Sequence, residues 1–186
     1  MAPPIRKLPD LSFVAEYANE SNGDLVSSNA WTVQAAYTLS KVAWSPTLSY
    51  RYAFFQGDDP TTTKSEAFDP LFPGFYDWGT WWQGEIAGEY FLSNSNLISN
   101  QLRLSLVPST SISAGAIAYS FSLDQAGALT SKSIAFELDG YCDWKVNSNF
   151  ILSFVAAYAN PGAAVEQEFN RTKNFAYGMF YVAYAY

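Results

Sequence analysis

Residues 178–186 read GMFYVAYAY. With a period of two, Phe180, Val182, Tyr184 and Tyr186 fall on one face of a strand, and Met179, Tyr181, Ala183 and Ala185 on the other. One face is large and apolar along its whole length, where most chains end in short polar residues. The same alternation recurs upstream. It predicts strands at Leu11–Tyr17, Trp31–Leu39, Leu48–Phe54, Leu97–Leu106, Ile112–Leu123, Ile134–Trp144, Phe150–Tyr158 and Ala176–Tyr186. In the fifth, the large residues change parity around Gly115, which predicts a bulge there.

The composition is that of interleaved apolar and uncharged polar residues. Aromatic residues make up 18% of the 186 positions and charged residues only 15%. No run reaches the roughly 18 apolar residues of a membrane-spanning helix, and alternating membrane strands would carry no such run. The stretch MAPPIRKLPDL has no apolar core of a signal peptide, so an exporting segment is expected elsewhere if the protein is secreted. One cysteine, Cys142, and no histidine remove internal disulfides, His-based triads and the familiar zinc spacings. A net charge of −7 argues against nucleic-acid binding.

Connections between the strands alternate in length. KVAWSP, VPSTS and VNSN are tight. NESNGDLVSS, the stretch 56–96, LDQAGALTSK and NPGAAVEQEFNRTKN are long and polar. That alternation is the habit of an up-and-down outer-membrane barrel, with short periplasmic turns and long outer loops. All tight turns fall at one end only if eight strands are counted, so the alternating piece Trp82–Leu92 is assigned to the long loop. The reading is an all-β, antiparallel up-and-down transmembrane barrel over residues 1–186, with a long extracellular loop at 56–96. A soluble β-sandwich with a packed terminal strand is the competing architecture.

The passages RYAFFQGDDP, EAFDPLFPGFYDWGTWW and GEYFLSNSNL carry a resemblance. A strand running into Gly57, Asp58 and Asp59, a loop motif at Phe68–Pro73, and a strand led by Asn96 and Leu97 together resemble the alginate export family of bacterial outer-membrane proteins. The resemblance covers most of the chain from about Leu48 onward, and the loop motif is its most specific part. It implies a channel of the Gram-negative outer membrane, built as a barrel of about eighteen strands, of which the eight here look like the carboxy-terminal portion. It also implies that Phe180, Val182, Tyr184 and Tyr186 form the signal read by the outer-membrane assembly machinery. No histidine follows the loop motif here.

Candidate sites follow from the faces. Arg51, Arg103, Glu137, Asp139 and Lys145 lie on predicted inward faces, with Glu16 and Asp143, and are pore candidates; Arg51 and Arg103 either guide anions or pair with an inward acid. Phe68, Asp69, Leu71, Phe72, Phe75, Trp78, Trp81 and Trp82 would form a constriction loop, packing on the wall, stacking on sugar rings, or capping themselves. Seven acids against Lys64 between Gly57 and Leu92 place most of the net charge in that loop. Asp58, Asp59 and Asp69 are weak Ca²⁺ candidates, although their spacing matches no EF-hand. A carboxylate pair such as Glu85 and Glu89 has the chemistry of a glycosidase, but acidic loop residues are abundant here. The expected activity is passive diffusion or export of a small solute or polysaccharide, with no catalysis and no cofactor. The alternative is a non-conducting small barrel with a structural or surface-binding role.

Overall fold

The computed structural model describes residues 10–70, 83–90, 92–170 and 172–185. Eight strands follow one another as β1 (Leu11–Asn22), β2 (Val26–Thr38), β3 (Thr47–Phe55), β4 (Leu97–Ser109), β5 (Ile112–Ser122), β6 (Ser133–Lys145), β7 (Phe150–Pro161) and β8 (Phe175–Tyr184). They form one antiparallel sheet in sequence order, with β1 and β8 at its two edges. Two short helices interrupt the connections, α1 (Ala87–Tyr90) and α2 (Ala163–Phe169). Every expected strand is present, and their number, order and direction are those of an up-and-down architecture. None of the described helices is long and apolar enough to cross a membrane.

Period two divides the sheet into a bare face and a covered face. Phe13, Tyr37, Leu48, Leu102, Leu104, Phe136, Leu138, Phe154 and Phe180 stand exposed on the bare face. The last strand follows the same rule: Phe180 and Tyr184 are 58% and 59% exposed, whereas Met179 and Tyr177 pack toward the core of the covered face. Aromatic side chains meet across neighbouring strands of the bare face, at strand ends and at mid-strand alike. Trp31 stacks on Tyr52 with ring centroids 4.9 Å apart, and Phe150 meets Tyr184 at 4.7 Å. An apolar surface this continuous is untenable against water and suits contact with hydrocarbon. The strands run from 9 to 13 residues, about the length that tilted strands need to cross a bilayer core.

Three local expectations change. The connection NESNGDLVSS is not a long loop, because β1 and β2 continue in register to Asn22 and Val26 and leave only Gly23, Asp24 and Leu25 as the turn. Gly23 takes a left-handed φ of 54° there. Second, Gly115 is regularly paired with Ser105 and Tyr141, so it is not a bulge. The parity change arises because β5 turns its large residues, Ile117, Tyr119 and Phe121, to the covered face and shows Ala116, Ala118 and Ser120 on the other. The register shift between β5 and β6 lies instead at Phe121 and Ser122, which pair with Ala135 and Ser133 and leave Ile134 as the extra residue. Third, Ile134 is therefore buried rather than bare; it joins the core cluster that includes Val165 of α2.

The long connections β3–β4, β5–β6 and β7–β8 share the end of the sheet that carries the Gly23 turn. The opposite end carries the connections of residues 39–46, 110–111 and 146–149. The Trp82–Leu92 alternation does not make a ninth strand: within it, Gln83–Ile86 form turns that lead into α1. That segment folds back onto the covered face of the sheet and defines the site.

Candidate functional site

Antiparallel register sets a row of polar side chains across the covered face. Arg51 pairs with Gln101, Gln101 with Tyr119, and Tyr119 with Glu137, so four adjacent strands contribute one residue each. One step along, Arg103, Ile117 and Asp139 form the next row. Arg51 and Glu137 sit three strand spacings apart, about 14 Å at 4.8 Å per strand, so their row holds opposite charges at its two ends rather than in one pair.

The segment Gln83–Tyr90 closes over these rows. The amide of Ile86 donates to Glu137 Oε1 at 2.8 Å and that of Ala87 to Glu137 Oε2 at 2.7 Å. The amide of Glu85 donates to Asp139 Oδ2 at 3.2 Å. These amides lie in the turn before α1 and at its first residue, where a helix leaves donors without internal partners; the wall carboxylates supply the acceptors. At the other end of the row, Arg51 Nη2 donates to Gln83 Oε1 at 3.5 Å. Gly84 makes the approach feasible. It holds φ at +83°, and a Cβ at that position would lie 3.0 Å from Glu137 Oε2. Glu137 is fully buried as a result, and Gln83, Glu85 and Ile86 are buried with it.

Between these anchors, Gln101 Nε2 donates to the Tyr119 hydroxyl at 3.1 Å, and Tyr119 stacks on Phe121 at 5.3 Å. Gln83 Nε2, Gln101 Oε1 and Asp139 Oδ1 are buried and meet no protein acceptor or donor among the described residues. Arg103 directs Nε to the Tyr141 hydroxyl at 3.0 Å, with Nη2 on the same oxygen, and its guanidinium lies 5.0 Å from the ring centroid. One neighbour of Arg103 is thus a phenol two strands away.

The remaining candidates separate. Lys145 is exposed at the tight-turn end near Asp143, whose Oδ1 accepts from Ser153 Oγ at 2.6 Å. Glu16 lies exposed on β1. Phe68 packs on Phe55 at 6.0 Å, and the Asp69 amide donates to Glu20 Oε2 at 3.0 Å, which ties both to the long-loop end rather than to the polar rows. Leu71, Phe72, Phe75, Trp78, Trp81 and Trp82, together with Tyr186, lie outside the described residues. Asp58 Oδ1 accepts from the Glu66 amide, and Asp59 Oδ1 from the amide and hydroxyl of Thr61. These acids serve loop backbone, and the described residues include no acid, His or Cys group of three or more arranged for a metal. Glu85 is buried and Glu89 exposed.

Sequence reading did not single out Gln83, Gly84, Gln101, Tyr119 or Tyr141 as site residues. Gln101 and Tyr119 were legible as inward positions once register was known; Gly84 carries no local signal, because its requirement comes from a carboxylate fifty-three positions away.

The comparison with curated proteins yields no match. The profile of the alginate export family matches residues 16–179, nearly the whole of the strand array described above. That family is one of transport proteins rather than enzymes. This chain belongs to the alginate export family.

Proposed function

We propose that the chain forms part of the wall, and the constriction, of an outer-membrane channel in a Gram-negative bacterium. The carrying observation is the segment Gln83–Tyr90 folded onto a polar face of strands whose other face is apolar. The bare face meets lipid, with Trp31, Tyr52, Phe150 and Tyr184 near the two interfaces. The covered face lines a watery path for passive diffusion or export of a small solute or an extended polysaccharide. The long-loop end faces outward and the tight turns face the periplasm. No cofactor and no catalytic step are needed.

The edges bear on the size of the barrel. In hydrocarbon, the free N–H and C=O groups of β1 and β8 require partners, either each other or further strands. An eight-stranded barrel leaves room only for side chains, whereas here a backbone segment with a helical turn about 10 Å across already occupies the inner face. The covered side of β1 is also open, with Val14 58% exposed. Both observations favour a larger barrel over the non-conducting small one; about eighteen strands is what the family resemblance implies.

Conductance across a planar bilayer tests the reading. The complete barrel that carries these strands, and the same barrel lacking residues 58–91, are compared in the membrane-inserted state. The deletion leaves β1–β8 intact, so insertion should persist and conductance should rise. Absence of current from both would leave the surface-binding barrel as the better account.

A further inference from the structure

We propose that Glu137, seconded by Asp139, is the positioning residue of the constriction: its carboxylate is the receptor that holds the segment Gly84–Ala87 across the covered face. The inference rests on the channel reading and names the contact that sets its closed state.

The argument begins with what else could hold the segment. Apolar burial contributes through Ile86 and Ala87, which are 2% and 0% exposed. Such contact is non-directional and would tolerate the segment shifting along the wall. The hydrogen bonds do not tolerate it. Both oxygens of Glu137 accept from consecutive amides, at 2.8 and 2.7 Å, and Asp139 accepts from the amide before them. Three successive backbone donors meeting two carboxylates define one register. Gly84 completes the fit, since any side chain there would run into the Glu137 carboxylate.

The consequence is that one wall side chain decides which loop groups project into the lumen. With Glu137 engaged, Gln83 meets Arg51, and Glu85 lies beside Asp139. Arg51, Gln83, Gln101 and Asp139 are then buried together beneath the segment. Glutamine at position 137 keeps one acceptor and turns an NH₂ toward an amide donor. Two buried donors can no longer both be satisfied, and charged acceptors are the stronger kind. The segment should leave the wall in that variant while the strands remain.

The test uses the full chain with Cys142, on the bare face, replaced by alanine and with Ile86→Cys as a reporter. A membrane-impermeant maleimide is applied to the inserted protein. Glu137→Gln should raise the labelling rate of the reporter by about tenfold or more. Conductance of the same variant without the reporter should rise toward that of the 58–91 deletion. Gly84→Ala supplies a second route to the same end without touching the wall, and serves alone if Glu137→Gln fails to insert. An inserted variant with unchanged labelling overturns the positioning role, even where wild-type conductance is plain. Raised labelling with no current from any form, the deletion included, upholds the positioning role and removes the channel reading instead.

Discussion

Gly115 faces Tyr141 across the β5–β6 pair so closely that a Cβ on Gly115 would lie 2.6 Å from two carbons of the tyrosine ring and 2.6 Å from the Leu104 carbonyl. The absent side chain lets the ring lie over the backbone, where its hydroxyl meets Arg103. Gly115→Ala should therefore displace Tyr141 and loosen Arg103 together. Forcing a carbon into a filled site costs about 1–3 kcal/mol. The expected result is a lower urea midpoint for the refolded protein. Tyr141→Ala in the same chain should largely remove the penalty from the ring, and what remains reports the carbonyl clash.

The two faces of β4 differ in what they tolerate. Leu104 is exposed on the bare face, and its neighbour Ser105 is half-buried on the other. Leu104→Lys, Phe136→Lys and Phe154→Lys should each cost about 2–4 kcal/mol near the bilayer midplane. Ser105→Lys should insert nearly normally. Gln101 and Ser153 face the same way as Ser105 but are buried, Gln101 against Tyr119 and Ser153 against Asp143. Lysine at either should also be costly, for want of room rather than contact with lipid. Refolding yields into detergent and into vesicles separate the two causes, because only the lipid penalty depends on bilayer thickness.

Strand number and order were legible because alternation is a local signal that a two-faced sheet enforces at every residue. The upper halves of β1 and β2 were not. Asn19, Glu20, Ser21, Asn22, Ser27, Ser28 and Asn29 are polar on both sides, so even where Ser28 is buried the residues carry no apolar alternation to read. Gly115 misled for a related reason: a strand with large residues inward and alanines outward inverts the expected contrast. The docking of Gln83–Tyr90 on Glu137 was beyond local reading altogether. GEIAGEY alternates as a strand would, yet its amides are claimed by a carboxylate in β6, and only the assembled sheet brings that acceptor beneath them.

Asp59 gives the outer loop a pH dependence. Hydrogen bonds from the Thr61 amide at 2.9 Å and the Thr61 hydroxyl at 2.7 Å hold its carboxyl below the ordinary aspartate range. A depressed acid stabilises the folded turn above its unfolded pKa and loses that contribution as pH falls through the folded value. The turn Asp59–Thr62 should therefore stay ordered at neutral pH and loosen only in strong acid. Asp59→Asn, which keeps an acceptor but no charge, should abolish the acid dependence. Amide exchange at Thr61 and Thr62 across pH is the measurement; an acid-dependent loosening that persists in Asp59→Asn would assign it to another group.

The last strand supplies the remaining test, because packing and recognition make different demands on it. Phe180 meets Phe154 with centroids 4.8 Å apart, and Tyr184 meets Phe150 at 4.7 Å, so each has a cross-strand partner on β7. Such pairs are worth about 0.5–1.5 kcal/mol beyond burial. If packing alone mattered, Phe180→Ala and Phe154→Ala would lower the urea midpoint by similar amounts and lower outer-membrane abundance in proportion. If the last strand is also the assembly signal, Phe180→Ala and Tyr184→Ala should reduce abundance in cells well beyond what Phe154→Ala and Phe150→Ala do at equal loss of midpoint. The partners on β7 are the control that makes the comparison sharp, since each removes the same ring contact from the other side. Equal abundance at equal midpoint across all four variants would leave β8 as a lipid-facing strand with no part in recognition.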